Sequence, residues 1–376
     1  MPALSAVGVR GFGQMTNRQT RRGTGNPEID QRINETLDAL EVNQDRDQLF
    51  EIMATTLQLA TDGADRLDLK ITNAALREMR HAFQAFGPYT DYPKVTIFGS
   101  ARTLPTDPLY DQARTTARIL AEQGWMVVTG AGPGIMAAGL EGAGREKAFG
   151  INIRLPFEQS ANEFIATDPK LVTMKYFFTR KLMLIKESDG FIVLPGGYGT
   201  LDETFELLTL VQTGKAEPTP IVLLEVPGGN YWRAWSAFID EVKERGLISP
   251  SDDVLFRITD SAQDASREVL DFYRNYHSRR FVGSRLVMRL LAEPTVEEVE
   301  ALSAEFSDLC VQGGIEKIEP LPSEINDNDE LDKGRIAFEF DRVHHGRLRQ
   351  LINRVNSLDS APDEQPSPRH YQEPQS

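Results

Sequence analysis

Apolar residues recur at three- and four-residue steps between positions 27 and 86: Ile33, Leu37 and Leu40, then Leu49, Met53 and Leu57. That period puts them on one face of a helix and predicts two or three helices. Gly87-Pro88 breaks the pattern. From Lys94 the texture changes to short apolar runs separated by helical stretches. Strands are expected at 95–98, 125–129, 151–153, 170–174, 191–194, 221–226 and 254–258. Helices are expected at 110–122, 135–148, 180–187, 204–211, 231–245 and 262–276. Strands alternating with helices imply a parallel sheet covered on both faces. Ligands of such sheets bind outside the carboxyl ends of the strands.

The last hundred residues read differently. Strands are expected at 284–291 and 335–340, with helices at 295–309 and 345–355. Thr295-x-x-Glu298 is a capping box at the first of these helices, and Asn326-Asp327-Asn328-Asp329-Glu330 reads as a polar loop. The resulting division is a disordered tail at 1–25, a helical extension at 26–90, the alternating domain at 91–279, a small α+β appendage at 280–358 and a second disordered tail at 359–376.

Three glycine-bearing segments follow strands, so all three belong at one edge of the sheet: Phe98-Gly99-Ser100, Thr129-Gly130-Ala131-Gly132-Pro133-Gly134-Ile135-Met136, and Pro195-Gly196-Gly197-Tyr198-Gly199-Thr200-Leu201-Asp202-Glu203. The second alone could be a dinucleotide fingerprint, which needs an acidic residue after the next strand. That strand ends in Arg154-Leu155-Pro156 instead. A 2′-phosphate could use Arg154, but no second nucleotide half follows. The third segment is more specific. Its glycines precede a helix whose first N–H groups have no internal partner and favour an anion, and a carboxylate stands three residues past Thr200. A structural alternative is that Thr200-x-x-Glu203 is merely a capping box. Arg180-Lys181, at the start of the preceding helix, should lie near this loop, where an arginine fork suits an oxyanion.

Composition narrows the chemistry. The chain has 376 residues and a net charge of −15, which argues against non-specific nucleic-acid binding. Cys310 is the one cysteine, so no intrachain disulfide can form. No apolar run approaches the roughly 20 residues of a membrane span, and the N-terminus lacks a secretory pattern, so a cytoplasmic protein is expected. His81, His277, His344, His345 and His370 show no metal-ligand spacing; His344-His345 reads as a solvated helix start. No lysine stands in a context suggesting a pyridoxal Schiff base.

Arg180-Lys181 followed by Pro195-Gly196-Gly197-x-Gly199-Thr200-x-x-Glu203 resembles the LOG family, the cytokinin-activating enzymes long described as lysine decarboxylases. The Gly99 and Gly130 loops match the family's other two, and the resemblance covers about 94–246, closer to its longer bacterial type. It implies a Rossmann-like doubly wound sheet and a phosphoribohydrolase that cuts the N-glycosidic bond of a nucleoside 5′-monophosphate without a cofactor. By motif match, Arg180 and Glu203 are the expected catalytic pair. Gly196, Gly197, Gly199 and Thr200 are expected to hold the phosphate, with Gly99, Ser100, Gly130, Gly132 and Lys181 lining the nucleotide site. Phe177 and Phe178 stand where many members carry Met-His, and Ala131 where many carry a third glycine; these departures bear on base choice. A non-catalytic nucleotide sensor on the same scaffold is the alternative. The expected partners are the nucleotide and further copies of the chain, as a homodimer or larger homo-oligomer, with no nucleic acid or membrane.

Overall fold

The computed structural model describes residues 23–154 and 161–363. Most of the two tails expected to be disordered lies outside them. The chain divides into two compact units, one ending at Leu76 and one beginning at Arg77. The first holds α1 (Pro27–Ala39), α2 (Arg46–Thr61) and the beginning of α3 (Arg66–Phe86). Asn26 caps α1 by accepting from the Glu28 N–H, with Pro27 at the first helical position. Ile33 and Leu37 pack on Ala54, as their helical spacing requires.

The second unit alternates β1 (Lys94–Phe98), α4 (Pro108–Glu122), β2 (Met126–Thr129), α5 (Ile135–Lys147), β3 (Ala148–Ile153), β4 (Leu171–Met174), α6 (Phe177–Lys186), β5 (Gly190–Val193), α7 (Tyr198–Gln212), β6 (Ile221–Leu224), α8 (Tyr231–Glu244), β7 (Arg257–Thr259) and α9 (Ala262–Asp271). The seven strands form one sheet in the order β4-β3-β2-β1-β5-β6-β7, parallel throughout. Side-chain alternation feeds two cores. Phe98, Met126, Phe191 and Val193 face α6, α7, α8 and the end of α3. Val95, Ile97, Val127 and Ile192 face α4, α5 and α9. Burial on both sides explains why these strands are continuous apolar runs. The fold is a Rossmann-like, doubly wound α/β sheet, and its order reverses between β1 and β5.

The chain continues through β8 (Tyr276–Val282), β9 (Arg285–Leu290), α10 (Val296–Glu305), β10 (Glu316–Lys317), α11 (Pro322–Asp327), β11 (Gly334–Phe338) and α12 (His345–Val355). Its strands form an antiparallel sheet, β10-β11-β9-β8, with its own core of Leu286, Met288, Ile336, Phe338, Leu302 and Leu351. The capping box of Thr295 and Glu298 is present. The acidic segment after α11 is pinned rather than loose. Arg289 donates to Glu324 (2.8 Å) and Asp329 (2.6 Å), and Arg335 donates to the carbonyls of Asp329 (3.1 Å) and Glu330 (2.6 Å). Arg335 and Glu324 are fully buried.

Several sequence expectations are corrected. The apolar run at 254–258 is not one strand: Pro250–Leu255 is a 3-10 turn held by a Ser249/Asp252 capping box, and only Arg257–Thr259 pairs in the sheet. The helix expected to reach 276 stops at Asp271. Asn356 takes the N–H groups of both Asn275 and Tyr276 at 2.8 Å, which turns the chain into β8. A boundary at 279/280 therefore falls inside a strand. His345 is buried, not solvated, with its ring edge-on to Phe340 at 5.2 Å.

Candidate active site

The reversal between β1 and β5 opens a crevice at the carboxyl ends of these two strands. Gly99 and Ser100 leave β1, and Gly196 and Gly197 follow β5. The backbone knits the loops together: the Ser100 N–H donates to the Pro195 carbonyl (3.3 Å), and the Ile135 N–H donates to the Ser100 carbonyl (3.0 Å). All three glycine segments thus meet at one place. Gly99 is required by packing, since a Cβ there would lie 2.6 Å from the Ile135 side chain. A Cβ on Gly132 would meet only the flexible end of Met136. Ala131 sits in the left-handed region with φ 58°, the conformation that favours glycine.

The glycine turn after β5 starts α7 earlier than the apolar pattern indicates. The helix begins at Tyr198 with Gly197 as its cap residue, and no side chain caps it. Thr200 and Glu203 are both inside the helix, so the capping-box alternative does not hold. A Cβ on Gly196 would overlap Thr200 Oγ1, whereas Gly197 and Gly199 face open space. Tyr231 fixes the turn by donating its hydroxyl to the Gly196 carbonyl at 2.7 Å, a contact with no sequence signal. The first N–H groups of α7 thus have no side-chain cap, and Tyr198 beside them is almost fully exposed.

Glu203 sits one turn into α7 and meets Arg180 from α6, with Nη1 donating to Oε1 at 3.3 Å. Only 10% of the arginine side chain and 13% of the glutamate side chain is exposed. Arg180 is the fourth residue of α6, which starts at Phe177 rather than at Arg180. Its Nε donates to the Ile151 carbonyl of β3 at 2.9 Å, fixing the guanidinium plane. Burial raises the Glu203 pKa to about 7, against the opposing pull of the Arg180 cation; neighbouring Asp202 adds to the rise. Lys181 does not join this pair. It binds Glu206 (2.6 Å) and Asp202 (3.1 Å) on α7, and although burial opposes its charge, these hydrogen bonds lift its pKa. Among the described residues no group of three or more His, Cys, Asp or Glu side chains is placed to hold a metal ion.

A buried carboxylate with a raised pKa, paired with an oriented arginine below an uncapped helix start, has the chemistry to accept an anion and to move a proton. Comparison with known proteins agrees in family. Residues 132–269 match the family described as possible lysine decarboxylase, so the LOG resemblance is borne out over that stretch. The chain is 41% identical over 100 residues to the probable cytokinin riboside 5'-monophosphate phosphoribohydrolase LOGL3 of Oryza sativa subsp. japonica, covering 27% of this chain and 46% of that protein. It is 40% identical over 118 residues to the cytokinin riboside 5'-monophosphate phosphoribohydrolase LOG1 of Arabidopsis thaliana, covering 31% and 54%. The chain thus spans about half the length of the curated relatives it matches. Among solved structures, the molybdenum cofactor binding protein of Rippkaea orientalis is similar with a TM-score of 0.34 at 20% identity, over 47% of this chain and 94% of that one. The molybdenum cofactor carrier protein of Chlamydomonas reinhardtii gives 0.35 at 19%, over 47% and 96%. No helix among the described residues is long and apolar enough to cross a membrane.

Proposed function

We propose that the protein is a phosphoribohydrolase that hydrolyses the N-glycosidic bond of nucleoside 5′-monophosphates to free base and ribose 5-phosphate. The observation that carries this reading is the buried Arg180–Glu203 pair one turn below the uncapped start of α7. The 5′-phosphate sits on the N–H groups of the Gly196–Thr200 turn, where the helix dipole favours it. Gly99, Ser100, Gly130 and Gly132 border the sugar and base. Holding the phosphate orients C1′ over Glu203. As the C1′–N bond breaks, its electron pair leaves with the base and positive charge develops on the ribose ring. The Glu203 carboxylate stabilises that charge and takes a proton from the attacking water, whose oxygen bonds to C1′. The proton passes to the departing base. Arg180 fixes the carboxylate and keeps part of the Glu203 population ionised at neutral pH.

The relatives' names point to cytokinin ribotides; general purine or pyrimidine monophosphates fit the same cradle, and Phe177 and Phe178 are half exposed near the site edge of α6. The exposed Leu49, Ile52 and Leu57 of α2 support a homodimer or larger homo-oligomer, which light scattering would size. Incubation with a panel of nucleoside monophosphates, with chromatography for free base and ribose 5-phosphate, tests the reaction. Release from AMP but not from adenosine is expected, because the phosphate supplies orienting energy. Tight binding of the panel without release would replace the reading by a nucleotide sensor.

A further inference from the structure

The helix that carries Arg180 does not cap itself. Its cap residue is Tyr176, whose own side chain makes no capping hydrogen bond. In a capping box the third helical residue would be a glutamate reaching back to the N-cap N–H. Here the third residue is Thr179, and the carboxylate comes from elsewhere in the chain. Glu78, on the second half of α3, accepts from the Lys175 N–H at 2.9 Å and from the Tyr176 N–H at 3.5 Å. Its carboxylate also takes the Thr179 hydroxyl at 2.6 Å, in preference to the Tyr176 carbonyl that the same single proton could reach at 2.9 Å. Thr179 is fully buried and immediately precedes Arg180.

We propose that Glu78 is a positioning residue for Arg180: an external cap that sets the first turn of α6, and so the placement of the guanidinium against Glu203. The inference rests on the phosphoribohydrolase reading for its effect on rate, but not for its effect on the helix. The same carboxylate has a second consequence. It places a negative charge at the start of α6 and leaves the start of α7 as the uncapped anion site, so a phosphate is directed to one helix and turned away from the other. Among the described residues the hydrogen bonds of Glu78 go to Lys175, Tyr176 and Thr179 and none to the Gly196–Thr200 turn, so its loss should act on turnover and not on substrate capture.

The test is a kinetic split measured on Glu78→Ala, Glu78→Gln and Thr179→Val in the full chain, with AMP as the probe. Glu78→Ala should lower kcat at least tenfold and leave KM within about twofold. Glu78→Gln keeps one acceptor oxygen and should recover part of kcat. Thr179→Val, which removes one hydroxyl and serves if Glu78→Ala fails to fold, should lower kcat in the same sense. Hydrogen exchange of the peptide spanning 174–182 should quicken in each variant. An unchanged kcat in Glu78→Ala overturns the proposal, as does a parallel loss of kcat, KM and melting temperature without rescue by Gln. If the wild-type protein releases no base from any monophosphate, the functional reading fails by itself. The exchange rates then decide the cap: unchanged rates in Glu78→Ala overturn it.

Discussion

Gly130 faces the guanidinium of Arg180 so closely that a Cβ at that position would overlap Nη2. The glycine of the second loop is therefore the wall against which the arginine of α6 rests. Gly130→Ala should displace the guanidinium from Glu203 and lower kcat/KM at least tenfold. Because the arginine end can move, the melting temperature should fall by only a few degrees. Steady-state kinetics alongside calorimetry checks this; near wild-type turnover would show that Arg180 needs no such wall.

Glu203→Gln keeps the shape and removes the charge. On the proposed mechanism it should lower kcat by about 10²–10⁴-fold, the range for a lost acid–base group. For the wild type, kcat/KM should rise with pH as the carboxylate ionises, with a midpoint near the 7 set by burial. A profile flat from pH 5.5 to 8.5 would remove Glu203 from the rate-determining chemistry.

The same carboxylate makes a stability prediction with a definite sign. Its pKa rises on folding from 4.5 to about 7, so the folded state holds the proton longer than the unfolded state. This contribution is fully present below about pH 4.5 and is lost as pH rises through 7. Its size is on the order of 3 kcal/mol, from the value of one pKa unit. Glu203→Gln should therefore melt higher than wild type at pH 8 and close to it at pH 5. Denaturant titrations at both values check the crossing.

Glu324 of α11 lies buried against Arg289 (2.8 Å) and Arg335 (3.4 Å) of the antiparallel sheet. Removing it leaves two buried guanidinium groups short of their counter-charge. Glu324→Ala should cost about 3–5 kcal/mol by chemical denaturation. A loss under 1 kcal/mol would mean that Asp329 and the loop carbonyls already compensate both cations.

The central strands and their glycine loops were legible because burial on both faces leaves an unambiguous apolar run, as in Phe191-Ile192-Val193. That Arg180 and Glu203 meet was legible because their spacing accompanies those loops. Strand β8 was not. Its sequence Tyr276-His277-Ser278-Arg279-Arg280-Phe281 is polar, and its arginines are neutralised by residues far along the chain, with Arg279 bound to Glu217 and Arg280 to Asp327 and Asp329. Val254 and Leu255 gave a false strand because apolar character in a 3-10 turn looks the same at that length. Glu78 was invisible for a plainer reason: its partners at 175–179 lie about a hundred residues away, and nothing local marks it.

The pairing of β1 with β5 also governs when the crevice can exist during synthesis. Val95 lies opposite Gly190, Thr96 opposite Phe191, and β1 is buried along its full length. Until the ribosome has delivered Gly190, the four strands β1 to β4 can associate only as a half-sheet whose β1 edge is bare and apolar. Such an edge is a template for pairing with another chain, and non-local closure of this kind is slow. The interval between the emergence of Phe98 and that of Val193 is thus the stage of synthesis at which an exposed β1 edge is expected to favour pairing with another chain.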